Sequence, residues 1–227
     1  MSASAARILA SVAVAFACAA CQSIASPTPP DANWRISSSG HFTFYVRPGS
    51  FAEQSLDALA SVLEDQYAVS VAKLGVRYSG HITIYLHNSG SDAGFRGDSS
   101  GGDHRGVAYP ATETVKTVAV PPFDANLMAL VSHEVNHVIV WNGLGRPGTS
   151  FLNEGLASAL LSERFHNSGP PFFHHWVGTH IGQYPPLSRL IDDDEWRNVE
   201  QARAYTVGAS FLAYLLQMYD ADKLRKI

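Results

Sequence analysis

The chain is 227 residues long, 46% hydrophobic and 16% charged, with a net charge of −4. That length allows one domain with a sizeable core, or two small lobes sharing one, and the composition is that of a globular protein. The mild acidity excludes the basic footprint of a nucleic-acid binder and a polybasic membrane patch.

Arg7 is followed by an uncharged run from Ile8 to Ala20, 13 residues long. It is too short to span a bilayer and has the proportions of a secretory signal core. The two cysteines, Cys18 and Cys21, stand at its end. Ala19-Ala20-Cys21-Gln22-Ser23 resembles a bacterial lipoprotein processing site, with Cys18 where an aliphatic residue is usual. The resemblance implies that residues 1–21 are a signal and that Cys21 becomes the lipidated first residue. The protein would then be exported and anchored to a membrane of the cell envelope. Plain signal cleavage after a small-residue triplet is the alternative. Either way the mature domain has no disulfide, so its stability rests on its core and on any bound metal. Residues 22–33, with Pro27, Pro29 and Pro30 among Ser and Ala, read as a disordered tether ahead of a domain over 34–227.

His41 to Val46 alternates and is aromatic and β-branched, which predicts a strand ended by Pro48-Gly49. From Phe51 to Leu74, apolar residues fall near helical spacing and Gly75 closes the run. Ile82 to Leu86 reads as a second strand. Residues 88–106 are rich in Gly, Ser and Asp and read as a mobile loop, either a surface connection or a substrate flap. Thr114 to Val120 reads as a third strand, stopped by Pro121-Pro122. Asp124 is the expected N-cap of a helix running to about Trp141, with Asn142-Gly143 as its stop.

That helix carries His133-Glu134-Val135-Asn136-His137, an H-E-x-x-H pattern inside an apolar run. Residues four apart lie on one helical face, so His133 and His137 point two imidazoles at one spot, as Zn²⁺ binding requires. Glu134 sits about 100° further round, beside that spot without being a ligand. It is placed to take a proton from water there. A buried helix with two His and a Glu and no partner for them would be several kcal/mol worse off.

Catalytic zinc takes three protein ligands. The H-E-x-x-H-x-x-G-x-x-H solution fails, because Val140 and Gly143 stand where its Gly and third His belong. A Glu on a following helix is the other solution. Phe151-Leu152-Asn153-Glu154-Gly155-Leu156-Ala157 offers Glu154, 17 positions after His137. Together HEVNH and LNEGLA resemble the gluzincin metallopeptidases, the thermolysin-like and M1-like zinc peptidases. The resemblance covers roughly residues 41–224, and its specificity lies in the two motifs. It implies that His133, His137 and Glu154 hold one Zn²⁺ and that Glu134 is the general base. It also implies that the strand before the H-E-x-x-H helix lies at the sheet edge above the metal, where a peptide can pair with it.

The Glu154 helix is expected to reach about Phe165. Asn153 is a candidate for orienting a ligand or a solvent-facing residue, and Ser158 receives no role. Phe172 to Trp176 with His180 matches no ligand pattern and reads as aromatic packing, with one His still able to serve as an oxyanion donor. Asp192-Asp193-Asp194 reads as a solvated turn or helix start rather than a calcium loop. Tyr205 to Leu215 is helical and apolar. By resemblance Tyr205 is the candidate oxyanion donor, with a satisfied core Tyr as the alternative.

The chain therefore reads as α+β and zincin-like. A small mixed sheet, a backing helix and the H-E-x-x-H helix form a lobe over 34–142. A helical lobe over 143–227 follows, with the site between them. The implied activity is zinc-dependent hydrolysis of a peptide or protein substrate. No G-x-M-E-N-like segment is present to hold a free amine, which favours an endopeptidase. The alternatives are an envelope binding or assembly factor with a structural or vestigial metal, and an amidase acting on a cell-wall crosslink. An intact Glu134 argues against a purely structural metal. The oligomeric state is not legible.

Overall fold

The computed structural model describes residues 33–95, 105–165, 169–219 and 221–226. The expected signal, Cys21 and all of the tether but Asn33 lie outside the described residues, as do residues 96–104 of the Gly/Ser-rich stretch before Gly106. No described helix is long and apolar enough to cross a membrane.

The fold is α+β. Five strands, β1 (Arg35–Ser38), β2 (Phe42–Val46), β3 (Ile82–His87), β4 (Gly106–Tyr109) and β5 (Thr114–Val118), form one mixed sheet in the order β1-β2-β3-β5-β4. The inner strands β2, β3 and β5 are parallel, with Phe44 opposite Ile84 and Ile84 opposite Val115. Antiparallel β1 and β4 close the two edges. Along β2, Phe42, Phe44 and Val46 are buried and alternate with half-buried Thr43 and Tyr45, as a sheet with one core-facing side requires.

At the end of the sheet beside the H-E-x-x-H helix, two features differ from the sequence reading. Strand β5, expected at the edge, lies inside the sheet. The edge beside the H-E-x-x-H helix is β4, which emerges from the stretch read as a loop. A four-residue strand that opens on Gly offers too few alternating positions to register as one.

Helix α1 (Phe51–Gln54) and helix α2 (Leu56–Leu74) replace the single helix expected, with a break at Ser55. Leu56, Leu59, Leu63, Tyr67 and Leu74 make the buried stripe of α2, and Gly75 ends it in the left-handed conformation at φ 63°. After the short α3 (Gly90–Ala93) and the strands β4 and β5 comes α4 (Ala125–Leu144), capped by Asp124 as expected. It runs past Asn142-Gly143. Gly143 is there for a close approach, since a Cβ would fall 2.8 Å from Val76 Cγ2. The chain then forms α5 (Ser150–Ala159), α6 (Pro170–Thr179), α7 (Leu187–Leu190), α8 (Asp193–Asn198), α9 (Gln201–Met218) and α10 (Ala221–Leu224).

Every residue of α4 from Leu127 to Val140 is buried. A helix enclosed on all sides has no solvent to receive its polar groups. His133, Asn136 and His137 are therefore held by protein, while Ser132 Oγ is buried with no hydrogen-bond partner among the described residues. Helix α5 packs against both α4 and α9. It ends at Ala159, earlier than expected, where side chains from α4 and α2 take the carbonyls of Ala157 and Leu160.

Candidate metal centre

His133 and His137, one turn apart on α4, set their rings edge to face with centroids 4.6 Å apart. Their Nε2 atoms are 3.1 Å from each other. Helix α5 brings in Glu154, whose Oε2 lies 3.1 Å from His133 Nε2 and 3.3 Å from His137 Nε2. All three residues are at most 3% exposed. The two motifs read from the sequence thus converge, and the three residues form a group able to hold a metal ion.

The outer ring nitrogens explain why the inner ones face one another. Asn153 Nδ2 donates to Glu154 Oε1 at 3.0 Å, which turns Asn153 Oδ1 toward His137 Nδ1, 3.2 Å away. An amide oxygen only accepts, so His137 carries its hydrogen on Nδ1 and presents a lone pair at Nε2. Ser158 Oγ lies 3.3 Å from His133 Nδ1 and can hold that ring in the same tautomer. Three electron-rich atoms then form a buried triangle with edges of 3.1–3.3 Å. Three N and O donors about 2.0–2.1 Å from one small ion in tetrahedral directions lie about 3.3 Å apart. The donor set fits a metal ion in both chemistry and spacing.

The electrostatics agree. Burial is the main influence on His133 and lowers its pKa, keeping the ring neutral and its lone pair available. Burial alone would raise Glu154; positive charge on the His137 ring, at the position a cation would otherwise take, and ring N–H bonds from His133 and His137 outweigh it and hold the carboxyl well below the usual carboxylate range. Glu154 is thus an anion in the interior.

Glu134 follows His133 and is 1% exposed. Edge strand β4 lies directly against it. A Cβ built on Gly106 would stand 2.8 Å from Glu134 Oε1 and 2.9 Å from its Cγ. Only a residue without a side chain leaves this carboxylate its position. Gly155 plays the matching part on α5: a Cβ there would meet Leu212 Cδ1 at 2.8 Å and the Gly208 carbonyl carbon at 3.1 Å on α9. The glycine beside Glu154 therefore lets two helices touch and seats the carboxylate at its depth.

That close crossing also brings Tyr205 of α9 near the triad. It is 4% exposed, with its ring 6.1 Å from that of His133 and 5.6 Å from that of Trp196. His180 sits elsewhere. Its ring stacks on Trp176 at 4.4 Å and its Nδ1 faces Trp176 O at 2.8 Å. His174 is likewise engaged by Ser210. Asp192 is the N-cap of α8, and Asp193 Oδ1 accepts from Ser150 N, fixing the start of α5.

The sequence reading passed over Ser158 and Gly106. Ser158 was within reach, since it stands four residues after Glu154 on the same face. Gly106 was not, because nothing local joins it to Glu134. No protein-family model matches the chain, and no curated protein is significantly similar to it.

Proposed function

We propose that this protein is a zinc-dependent hydrolase of peptide bonds, built like a gluzincin metallopeptidase. The observation that carries the reading is the convergence of His133, His137 and Glu154 with a second buried acid, Glu134, beside them. Two neutral imidazoles and one carboxylate are a donor set suited to zinc.

When bound, zinc supplies Lewis acidity, which acidifies a water and polarises a carbonyl. Glu134 accepts the proton of the attacking water and hands it to the leaving amine. Tyr205 donates a hydrogen bond to the carbonyl oxygen as it gains charge, an interaction worth about 3–4 kcal/mol. Asn153 and Ser158 hold the imidazoles in one tautomer throughout. Strand β4, at the sheet edge over Glu134, offers main-chain groups to an extended substrate. With no G-x-M-E-N-like segment in the sequence, cleavage within a chain is the favoured mode.

Digestion of a mixed peptide library tests this. Zinc-loaded protein cleaves, while chelator-treated protein and the Glu134→Gln variant do not. Cleavage at the parental rate by Glu134→Gln would falsify the assignment of the base. The N-terminal sequence adds a place of action, the cell envelope, by way of a lipidated Cys21. A Cys21→Ala chain should move from the membrane fraction to the soluble one, and an unchanged distribution would count against the anchor.

A further inference from the structure

The second x-position of the H-E-x-x-H motif belongs to a hydrogen-bonded chain that the mechanism above does not use. Gln66 and Ser70 of α2 and Asn136 of α4 are each at most 1% exposed. Gln66 Nε2 donates to Leu160 O at 2.9 Å and to Ser70 Oγ at 2.8 Å. Ser70 Oγ donates to Asn136 Oδ1 at 2.6 Å, and Asn136 Nδ2 donates to Ala157 O at 2.8 Å. Gln66 Oε1 accepts from Ser162 N at 3.0 Å. A primary amide has two hydrogens, and these contacts use both on Gln66, leaving its third acceptor, Asn136 Oδ1 at 3.3 Å, the weakest. The chain of donors runs one way, so a flipped amide breaks two bonds at once.

We infer that Gln66, Ser70 and Asn136 are positioning residues for the metal centre, setting where α5 lies along α4. The inference rests on the metal-binding part of the proposed function, not on peptidase activity. Asn136 is the residue before His137. Its acceptor, Ala157, lies between Glu154 and Ser158, two of the α5 residues whose side chains face the imidazoles. Along its other side α5 packs extensively on α9, with Gly155 and Gly208 meeting between Phe151 and Leu212, an apolar contact. Apolar contacts resist separation but carry little direction. Hydrogen bonds fail within a few tenths of an ångström and off angle, and a metal site needs its ligands within about 0.5 Å of place. At this end of α5 two directional links join the ligand-bearing helices, Ser158 on His133 at 3.3 Å and the shorter Asn136 amide bond to the Ala157 carbonyl at 2.8 Å, and Ser70 and Gln66 aim the second.

The test compares Ser70→Ala with Leu63→Ala, a substitution of a fully buried apolar residue on the same helix. Zinc affinity is measured by competition with a chromophoric chelator. The visible absorption of the Co²⁺-loaded protein reports ligand geometry, and thermal unfolding of the metal-free protein reports stability. Ser70→Ala should weaken zinc binding about tenfold and alter the Co²⁺ spectrum. Leu63→Ala should lower the unfolding temperature more and leave affinity and spectrum at parental values. Asn136→Leu, if it folds, should show the Ser70→Ala pattern more strongly. Parental affinity and spectrum in Ser70→Ala would overturn the inference, as would equal weakening in Leu63→Ala. Failure of the parent itself to bind zinc or cobalt would remove the metal centre, and is read from the parent alone.

Discussion

Helix α4 faces two interiors of opposite kinds. On one side Val131, Val135, Val138 and Ile139 join the apolar core shared with the sheet and α2. On the other, His133, Asn136 and His137 meet side chains and carbonyls of α5 and α2 through hydrogen bonds of defined direction. The first interior asks only for volume and apolarity, and such cores tolerate repacking. The second asks for particular atoms at particular places. Cohesion and function are thus carried by opposite faces of one helix, and substitutions should separate them.

The largest expected effect is on the polar side. Glu154→Ala should abolish stoichiometric metal binding. The stabilisation a bound ion provides, about 2.7 kcal/mol at a hundredfold excess over Kd, should go with it. Metal analysis and melting with and without zinc check both. Glu134→Gln should keep the ion and lose about 10²–10⁴-fold in turnover. On the apolar side, Phe44→Ala should cost about 3–5 kcal/mol of stability in denaturant titration and leave metal affinity alone. If Phe44→Ala loosened the ion as well, the division drawn here would fail. Ser158→Ala should weaken zinc about tenfold by freeing the His133 ring, with little change in melting.

The smallest effect lies away from both interiors, at Glu64. Burial would raise its carboxyl, but hydrogen bonds from His41 and Ser39 lower it overall. A lowered carboxyl stabilises the folded state above the ordinary Glu value. That contribution is lost as pH falls through the lower folded one. For a partly exposed group in contact with solvent it amounts to under about 1 kcal/mol. Glu64→Gln should remove that acid-side slope from a stability profile and leave metal affinity untouched.

The sequence revealed what is local and periodic. His133 and His137 are a helical turn apart, and Asp124 caps their helix, so both could be read from spacing. Glu154 needed a second motif, since its distance from the His pair in space is not written in the 17 residues between. Strand β4 escaped notice because pairing with β5, and not its own pattern, makes it a strand. Asn136 looked like any polar residue in a helix. Its partners Gln66 and Ser70 stand 70 and 66 positions earlier, beyond any local signal. The end of α5 is hidden for the same reason: the groups at its last carbonyls come from other helices.

Asp193 pins the start of α5, and Gly155 seats its middle against Gly208. Neither contact involves a metal. The spacing of the donor atoms on α5 is thus fixed by contacts of the polypeptide itself more than by any occupant. Swapping one cation for another would call for little rearrangement. The identity of the occupant would then be decided by supply in the compartment where the protein works.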